Sequence, residues 1–509
     1  MGERTQNTVR NIVFGFVSKI TSLLLPFIIR TIIIYKLGAE YVGISSLFTS
    51  ILQVLSVTEL GFASAISFTM YEPIAKGNIE KVNESITLLR TVYKIVGLTI
   101  LLIGICMFPF LSLLIKGDVP GDVNIYALFS IYLSNTVISY IFYGYKNSVL
   151  SANQRYDVIS KIELTISVLR GVTQIAVLLL FSNYYLYTIA IPGFTLVSNI
   201  LVNNYSVKMF PELKSSGKWS FKGIKAISKQ IGGIAIGRIS LMCRNSFDSI
   251  IISSLLGLTT VAIYSNYYLI VSSIGAFTAV IMTSMGASVG NSLALESIEK
   301  NEADHIKYDF YYEIIIGFCT ICLFVLYQPF MKIWVGNSLM FPQITMILFC
   351  IYFYVNQLAQ IRSVYSEAAG LWWHFKYLTI GEMVANIVLN IGLGIWIGVD
   401  GIILATVITA FFGSFVGCSW ITYRKLFKTS PIKYFRNNLI YAALTVTGCI
   451  LVSKVVGFVA MDGLIGFLIK MILCAFCSVI FLGTAYLGNK NSRKMILDFP
   501  LMKKFRKIK

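Results

Sequence analysis

Apolar segments long enough to cross a lipid bilayer follow one another along this chain with few gaps. Because a backbone in lipid must satisfy its own hydrogen bonds, such segments fold as transmembrane α-helices. The 509 residues are 56% hydrophobic and 13% charged, whereas an ordinary soluble protein carries about 25% charged residues. We therefore predict an all-α polytopic membrane protein. Its spans number about fourteen and cover residues 11–36, 41–69, 87–115, 122–147, 157–181, 184–209, 229–255, 259–290, 309–333, 341–365, 372–397, 400–422, 436–457 and 463–487.

The net charge of +19 is concentrated in loops on one side of the predicted membrane. Lys and Arg mark cytoplasmic loops, so both termini and the 208–229 loop are predicted to lie in the cytoplasm. The basic composition follows from this topology and does not require a nucleic-acid partner. The 208–229 loop is either a plain solvated connector or a partly amphipathic segment that lies on anionic membrane lipids.

Two halves of the chain repeat each other at a constant offset of 219 residues. Six spans separate the matching positions, so the halves share one orientation, as in transporters built from parallel repeats. We predict an N-terminal six-helix bundle over 1–210, a cytoplasmic linker over 211–228, a C-terminal six-helix bundle over 229–425, and two additional helices with a basic tail over 426–509. The matches are Leu37-Gly38 with Leu256-Gly257, Ile79-Glu80-Lys81 with Ile298-Glu299-Lys300, Glu163 with Glu382, and Lys19 with Arg238.

Four cations inside the first and seventh spans are candidates for binding an anion: Lys19, Arg30, Arg238 and Arg244. A charge near the bilayer centre costs roughly 2.5–3.5 kcal/mol on insertion scales, so each needs a partner or a wet cavity. Lys19 and Arg30 share one helix face about 16 Å apart, because eleven residues make close to three turns. We predict that the four cations line a hydrated cavity. The alternatives are local ion pairs, in which Glu59 neutralises Lys19 and Asp248 neutralises Arg244.

Four carboxylates are candidates for binding a coupling ion, either a proton or sodium: Glu59, Glu163, Asp248 and Glu382. Each also has a structural alternative. Glu163 lies seven residues before Arg170, on the same helix face, and the two can pair. Glu382 has no cation nearby in sequence and can be a hydrogen-bonded structural residue.

Asp309 and Glu313 in the ninth span occupy repeat-equivalent positions to Arg90 and Lys94 in the third, with opposite charge. Both pairs lie near the predicted cytoplasmic ends of their helices. A salt-bridge gate between the bundles is one interpretation. We favour the other, in which these side chains extend to the membrane interface.

No catalytic or cofactor motif accompanies the spans. The sequence contains no Walker loop, no glycine-rich dinucleotide turn and no HExxH motif, and the predicted outer loops are nearly bare. The only histidines, His305 and His374, are predicted to lie far apart in loops. Cys319-x-x-Cys322 and Cys474-x-x-Cys477 lie within hydrophobic runs without accompanying ligands, which favours buried structural thiols. We predict a non-enzyme without a metal or cofactor.

Several short motifs around the first two turns resemble the start of each half of polysaccharide-repeat flippases of the multidrug, oligosaccharidyl-lipid and polysaccharide exporter superfamily. They are Leu37-Gly38, Tyr41-Val42-Gly43-Ile44 and Leu60-Gly61-Phe62, and in the second half Asp248-Ser249-Ile250-Ile251-Ile252, Leu256-Gly257 and Ile263-Tyr264-Ser265. The resemblance covers most of the chain, as twelve core helices plus two. The Arg-Gly-Asp-Arg-type signature of the lipid II branch is absent from the sequence.

The resemblance implies a flippase that carries undecaprenyl-pyrophosphate-linked oligosaccharide across the bacterial cytoplasmic membrane by alternating access. It implies a cationic lumen, membrane lipids as surroundings and other polysaccharide-assembly proteins as partners. A drug/cation antiporter of the same superfamily is the first alternative, although buried cations disfavour cationic cargo. A membrane glycosyltransferase or polymerase, or a non-transporting scaffold, are further alternatives.

Overall fold

The structure is a computed structural model and describes residues 21–56, 62–117, 119–216, 222–488 and 490–497. These residues are almost entirely helical, and no strand occurs among them. The described residues of each predicted span lie largely in one helix or in two helices in succession. Ten of the described helices are long and apolar enough to cross a membrane, or eleven if one bent pair forms a single span. The prediction of an all-α polytopic membrane protein is confirmed.

The chain divides into two compact units, Met1–Ser265 and Asn266–Lys509. In the first unit α7 packs against α8, α8 against α5, and α2 against α9. Its helices are α1 (21–36), α2 (Ala39–Leu55), α3 (Phe62–Ala75), α4 (Ile79–Cys106), α5 (Ile125–Ile141), α6 (Lys146–Ala152), α7 (Tyr156–Phe181), α8 (Tyr184–Met209), α9 (Lys222–Leu256) and the start of α10 (Leu258–Leu295).

The second unit contains the rest of α10 and the helices that follow it. Its central helix is α11, which packs against α12, α17 and α18 around a core that includes Phe310, Ile321 and Tyr441. Its helices are α11 (Ile298–Trp334), α12 (Gln343–Leu358), α13 (Gln360–Ala368), α14 (Trp372–Ile397), α15 (Val399–Thr409), α16 (Cys418–Thr422), α17 (Ile432–Gly457), α18 (Gly463–Gly488) and α19 (Lys490–Leu497).

Polar and glycine residues set the helix boundaries. The Asn124 side chain accepts from the backbone N–H of Tyr126 and so caps α5, and the Ser297 hydroxyl accepts from the N–H of Lys300 and caps α11. The repeated Leu-Gly turns place Gly38 at φ 127° and Gly257 at φ 90°. Glycine adopts these conformations without steric cost, so each turn ends one span and starts the next.

Two spans are irregular. The fourth consists of α5 and α6, which meet at a bend of 47°. The twelfth interrupts its α-helix with π-helical stretches at Ala410–Gly417 and Tyr423–Phe427. A π-helical turn inside an α-helix often marks a functional position, because it redirects the side chains around it.

Both histidines lie on helices, since His305 is on α11 and His374 on α14. The prediction that they lie in loops is therefore wrong. His305 is fully buried, and its Nδ1 lies 3.2 Å from the Tyr423 hydroxyl. Among the described residues, no three His, Cys, Asp or Glu side chains come together as metal ligands.

Gly43 allows a close approach between α2 and the start of α10. A Cβ at this position would collide with the backbone carbonyl of Leu258. We expect Gly43→Ala to lower the free energy of unfolding by about 1–3 kcal/mol, because a backbone carbonyl cannot move aside as a side chain can. The measurement is the thermal unfolding midpoint of the detergent-solubilised protein.

Gly193→Ala on α8 is the matched control for this substitution. No heavy atom of the described chain lies within 4 Å of a Cβ added at Gly193. Its midpoint should stay the same or rise, because alanine favours a helix over glycine. Equal midpoints for Gly43→Ala and the wild type would contradict the close contact.

Candidate functional site

A cavity of about 540 Å³ lies inside the first unit, among α1, α2, α7 and α8. Its polar lining comes from all four helices and consists of two guanidinium groups, hydroxyls, an amide and a phenol. These side chains include Arg30, Arg170, Ser45, Ser167, Gln174 and Tyr187. None of the described residues that line the cavity is acidic. A lining with two guanidinium groups and no carboxylate is chemically suited to an anion.

Arg30 enters the cavity from α1. Its Nη1 donates a hydrogen bond of 2.9 Å to the Ser265 hydroxyl, which in turn donates to the carbonyl of Ala262. The serine hydroxyl is neutral, so this bond positions the guanidinium without cancelling its charge.

Arg170 enters from α7 and makes no ion pair with any residue that the structure describes. The alternative in which Arg170 pairs with Glu163 does not hold, because Glu163 is exposed and forms no salt bridge with Arg170 in the described chain. The two residues lie two turns apart on α7, and only Arg170 reaches the cavity. Its guanidinium is available to a ligand, and its planar fork suits a phosphate oxygen pair.

The cavity wall behind Arg170 is tightly packed. Gly171 brings α7 against α1, since a Cβ there would lie 2.9 Å from the Leu25 side chain. One turn after Arg170, the buried Gln174 amide donates a hydrogen bond of 3.3 Å to the carbonyl of Tyr187. This bond connects α7 to α8. The Tyr187 ring stacks on Tyr184 at 5.4 Å. These contacts limit how far Arg170 can shift.

The sequence analysis did not select Arg170 for the anion site, although a signal was present. Ser167, Arg170 and Gln174 are spaced three and four residues apart, so they form one polar stripe in the largely apolar second half of α7. Inside a membrane such a stripe faces a protein interior or a wet cavity. Pairing with Glu163 offered a different explanation for an arginine at this position.

Other predicted site residues are placed as follows. Lys19 and Glu59 lie outside the described residues. Arg238 is exposed on α9, whereas Arg244 and Asp248 are buried one turn apart on the same helix. The Asp248 carboxylate accepts a hydrogen bond of 2.8 Å from the Tyr264 hydroxyl. The pairing of Arg244 with Asp248 stays a prediction, as do the roles of these residues.

In the second unit, Glu382 on α14 faces the first π-helical stretch. The Ser414 hydroxyl lies 3.0 and 2.8 Å from the two carboxylate oxygens of Glu382, and it donates to them. Arg362 Nη2 donates a hydrogen bond of 3.0 Å to the Ser414 carbonyl. The Arg362 guanidinium and the Glu382 carboxylate therefore both bind Ser414. Gly413 provides space for this arrangement, because a Cβ there would collide with the Glu382 side chain.

Asp309 and Glu313 are 2% and 0% exposed, so the prediction that they extend to the membrane interface is wrong. Their counterparts in sequence, Arg90 and Lys94 on α4, are exposed as expected for side chains at an interface. The charged residues of α4 thus lie on an exposed face, whereas those of α11 lie on a buried face.

The helix order, the paired Leu-Gly turns and the apolar spans define a polytopic membrane protein, with a cavity that carries two arginines among its helices. Solved structures with the same fold include the lipid II flippase MurJ in an inward closed conformation, with a TM-score of 0.62 and 16% identity over 94% of this chain and 99% of that one. An inward-facing multidrug resistance MATE transporter of the MOP superfamily matches with a TM-score of 0.56 and 16% identity over 81% of this chain and 96% of that one.

The Vibrio cholerae MATE transporter VcmN in the bent form matches with a TM-score of 0.51 and 14% identity, over 84% of this chain and 95% of that one. No protein-family model matches the sequence, and a search of curated proteins finds no significant match. At these identities the likeness shows the fold alone. The fold predicted from the resemblance, that of the MOP exporters, is confirmed.

Proposed function

We propose that this protein is a flippase that moves undecaprenyl-pyrophosphate-linked oligosaccharide repeat units across the bacterial cytoplasmic membrane for surface polysaccharide biosynthesis. The observation that carries the proposal is the cavity of the first unit, with Arg30 and Arg170 and no acidic residue in its described lining. A pyrophosphate bears negative charge that must be stabilised away from bulk water. Paired guanidinium groups provide charge-assisted, bidentate hydrogen bonds for that purpose.

The remaining polar lining suits the first sugar of such a substrate. Hydroxyls and an amide, from Ser45, Ser167 and Gln174, form hydrogen bonds with sugar hydroxyls without discriminating by charge. The isoprenoid tail would stay in the lipid while the head group crosses by alternating access between two six-helix halves. The solved structure that matches 94% of this chain is itself named a lipid II flippase, which supports a lipid-linked cargo here.

The first alternative is a drug/cation antiporter, since two matching structures are MATE transporters. A cationic drug would meet repulsion from the two arginines, and the described lining of the cavity offers no carboxylate to attract it. Glycosyltransferase or polymerase activity is a weaker alternative, because the neighbours by fold are named transporters and flippases.

The remaining features of the proposal are topology and energy supply. Both termini would lie in the cytoplasm, and polysaccharide-assembly proteins and membrane lipids would be its surroundings. Glu59, Glu163, Asp248 and Glu382 remain candidates for a coupling proton or sodium ion. Among them, Glu382 on α14 accepts a hydrogen bond from Ser414 of a π-helical stretch, which is compatible with either a coupling or a structural role.

The direct test is transfer between leaflets in liposomes. Purified protein is reconstituted with a fluorescent undecaprenyl-pyrophosphate oligosaccharide, and a membrane-impermeant quencher reports how much of it reaches the outer leaflet. We expect transfer well above that of protein-free liposomes, and none of a cationic dye in the same vesicles. Dye transport without lipid transfer would support the antiporter, and formation of a longer glycan would support the polymerase.

A further inference from the structure

A second chemical site lies in the second unit, on the face of α11 that packs against α12 and α17. Asp309 and Glu313 are four residues apart, so their side chains project from the same face on successive turns. Their exposed fractions are 2% and 0%, and both belong to the apolar packing of a predicted membrane span. Such a pair of carboxylates without contact to water needs a physical reason.

Each carboxylate has one hydrogen-bond donor and one oxygen without a partner. The Asn438 amide on α17 donates to Asp309 Oδ2 at 3.1 Å, and the Tyr354 hydroxyl on α12 donates to Glu313 Oε2 at 2.9 Å. Asp309 Oδ1 and Glu313 Oε1 are buried without a hydrogen-bond partner in the described chain. Leaving a buried charged oxygen unsatisfied costs more free energy than leaving a neutral group unsatisfied.

One further side chain beside the pair lacks a hydrogen-bond donor. Asn438 is only 3% exposed and is fixed by its bond to Asp309, yet its carbonyl Oδ1 has no partner in the described chain. Three acceptor oxygens from three side chains, Asp309 Oδ1, Glu313 Oε1 and Asn438 Oδ1, therefore have no donor in the described chain. A proton on one carboxyl group converts an acceptor into a donor.

No cation neutralises the pair within the described chain. Arg362 on α13 donates to the Ser366 hydroxyl and the Ser414 carbonyl, and forms no ion pair with either carboxylate. His305, one turn before Asp309, uses Nδ1 in its contact with Tyr423. The other titratable groups that face the pair are phenols, from α11, α12, the second π-helical stretch, α17 and α18: Tyr312, Tyr354, Tyr423, Tyr434, Tyr441 and Tyr486.

We propose that Asp309 and Glu313 form a proton-binding site, which holds at least one proton when α11, α12 and α17 are packed as in this structure. Two ionised carboxylates on successive turns in a dry interior would repel each other and lose their hydration, whereas a shared proton removes one charge and provides the missing donor. The proton comes from water and returns to water, so no other reactant is required. The site is independent of the anion cavity and of the proposed cargo.

Infrared spectroscopy of the purified full-length protein tests the proposal. A protonated carboxylic acid has a carbonyl stretching band that ionised carboxylates lack and that shifts in heavy water. We expect this band in the wild type at neutral pH. It should weaken in the double variant Asp309→Asn with Glu313→Gln, which preserves shape and removes both acids, and an unchanged band would overturn the proposal. Glu299→Gln, at an exposed glutamate near the start of α11, should leave the band unchanged.

A sodium titration distinguishes the proton from a small metal cation. The thermal unfolding midpoint is measured in sodium chloride and in choline chloride at equal ionic strength, for the wild type and the double variant. We expect no sodium-specific stabilisation and a midpoint for the double variant that equals or exceeds that of the wild type, because buried acids are removed. An absent carbonyl band, or sodium-specific stabilisation lost in the double variant, would overturn the proposal.

Discussion

Replacing both Arg30 and Arg170 by alanine should reduce transfer of lipid-linked oligosaccharide to the level of protein-free liposomes. Each guanidinium makes charge-assisted hydrogen bonds, worth about 1.5–3 kcal/mol each. Since about 1.4 kcal/mol corresponds to a tenfold change in an equilibrium constant, each single variant should lose roughly tenfold to a hundredfold. The measurement is the initial rate of leaflet transfer at equal amounts of reconstituted protein.

Arg436→Ala is the matched control, since Arg436 is an exposed arginine near the start of α17 and lies outside the cavity lining. Its transfer rate should equal that of the wild type. Arg170→Lys keeps the charge but loses the planar fork, so we expect an intermediate rate. If the double alanine variant transferred the lipid at the wild-type rate, the cavity would not be the anion site.

Placing a carboxylate beside Arg170 should have nearly the same effect as removing the arginine. Ser167 lines the cavity three residues before Arg170, on the same face of α7. In Ser167→Asp the new carboxylate would pair with the guanidinium within one helix and repel an approaching pyrophosphate. We expect a loss of transfer of about tenfold or more, measured in the same liposomes.

Ser167→Asn is the control for this variant, because it has the shape of aspartate without the charge. It should retain most of the transfer activity. The pair of substitutions also separates the two candidate cargoes, since an added carboxylate would favour a cationic drug. Preserved lipid transfer in Ser167→Asp, or a gain in dye transport, would contradict an anionic cargo.

The sequence was sufficient to predict the spans, because membrane insertion depends on the length and hydrophobicity of each segment alone. It also predicted the Leu-Gly turns, where Gly38 and Gly257 both adopt positive φ. Arg30 could be selected as a cation in an apolar helix, and the structure places it in a cavity. All of these follow from local properties of one segment.

The errors concern which neighbouring helix covers a given face. Asp309 and Glu313 appeared free to reach the interface, yet α12 and α17 provide Tyr354 and Asn438 to bury them. The sequence of α11 alone does not show that residues of α12 and α17 bury this face. Spacing allowed Arg170 to pair with Glu163, although Arg170 lines the cavity and Glu163 is exposed. Ion pairs within a helix compete with such tertiary contacts.

Binding of undecaprenyl pyrophosphate to the purified protein tests the central claim most directly. Affinity is measured for this lipid and for uncharged undecaprenol, with the wild type and with the double variant Arg30→Ala and Arg170→Ala. The account predicts that the wild type binds the pyrophosphate at least about tenfold more tightly than the alcohol, and that the double variant loses this preference. Equal affinity of the wild type for both lipids, or a preference that survives in the double variant, would contradict it.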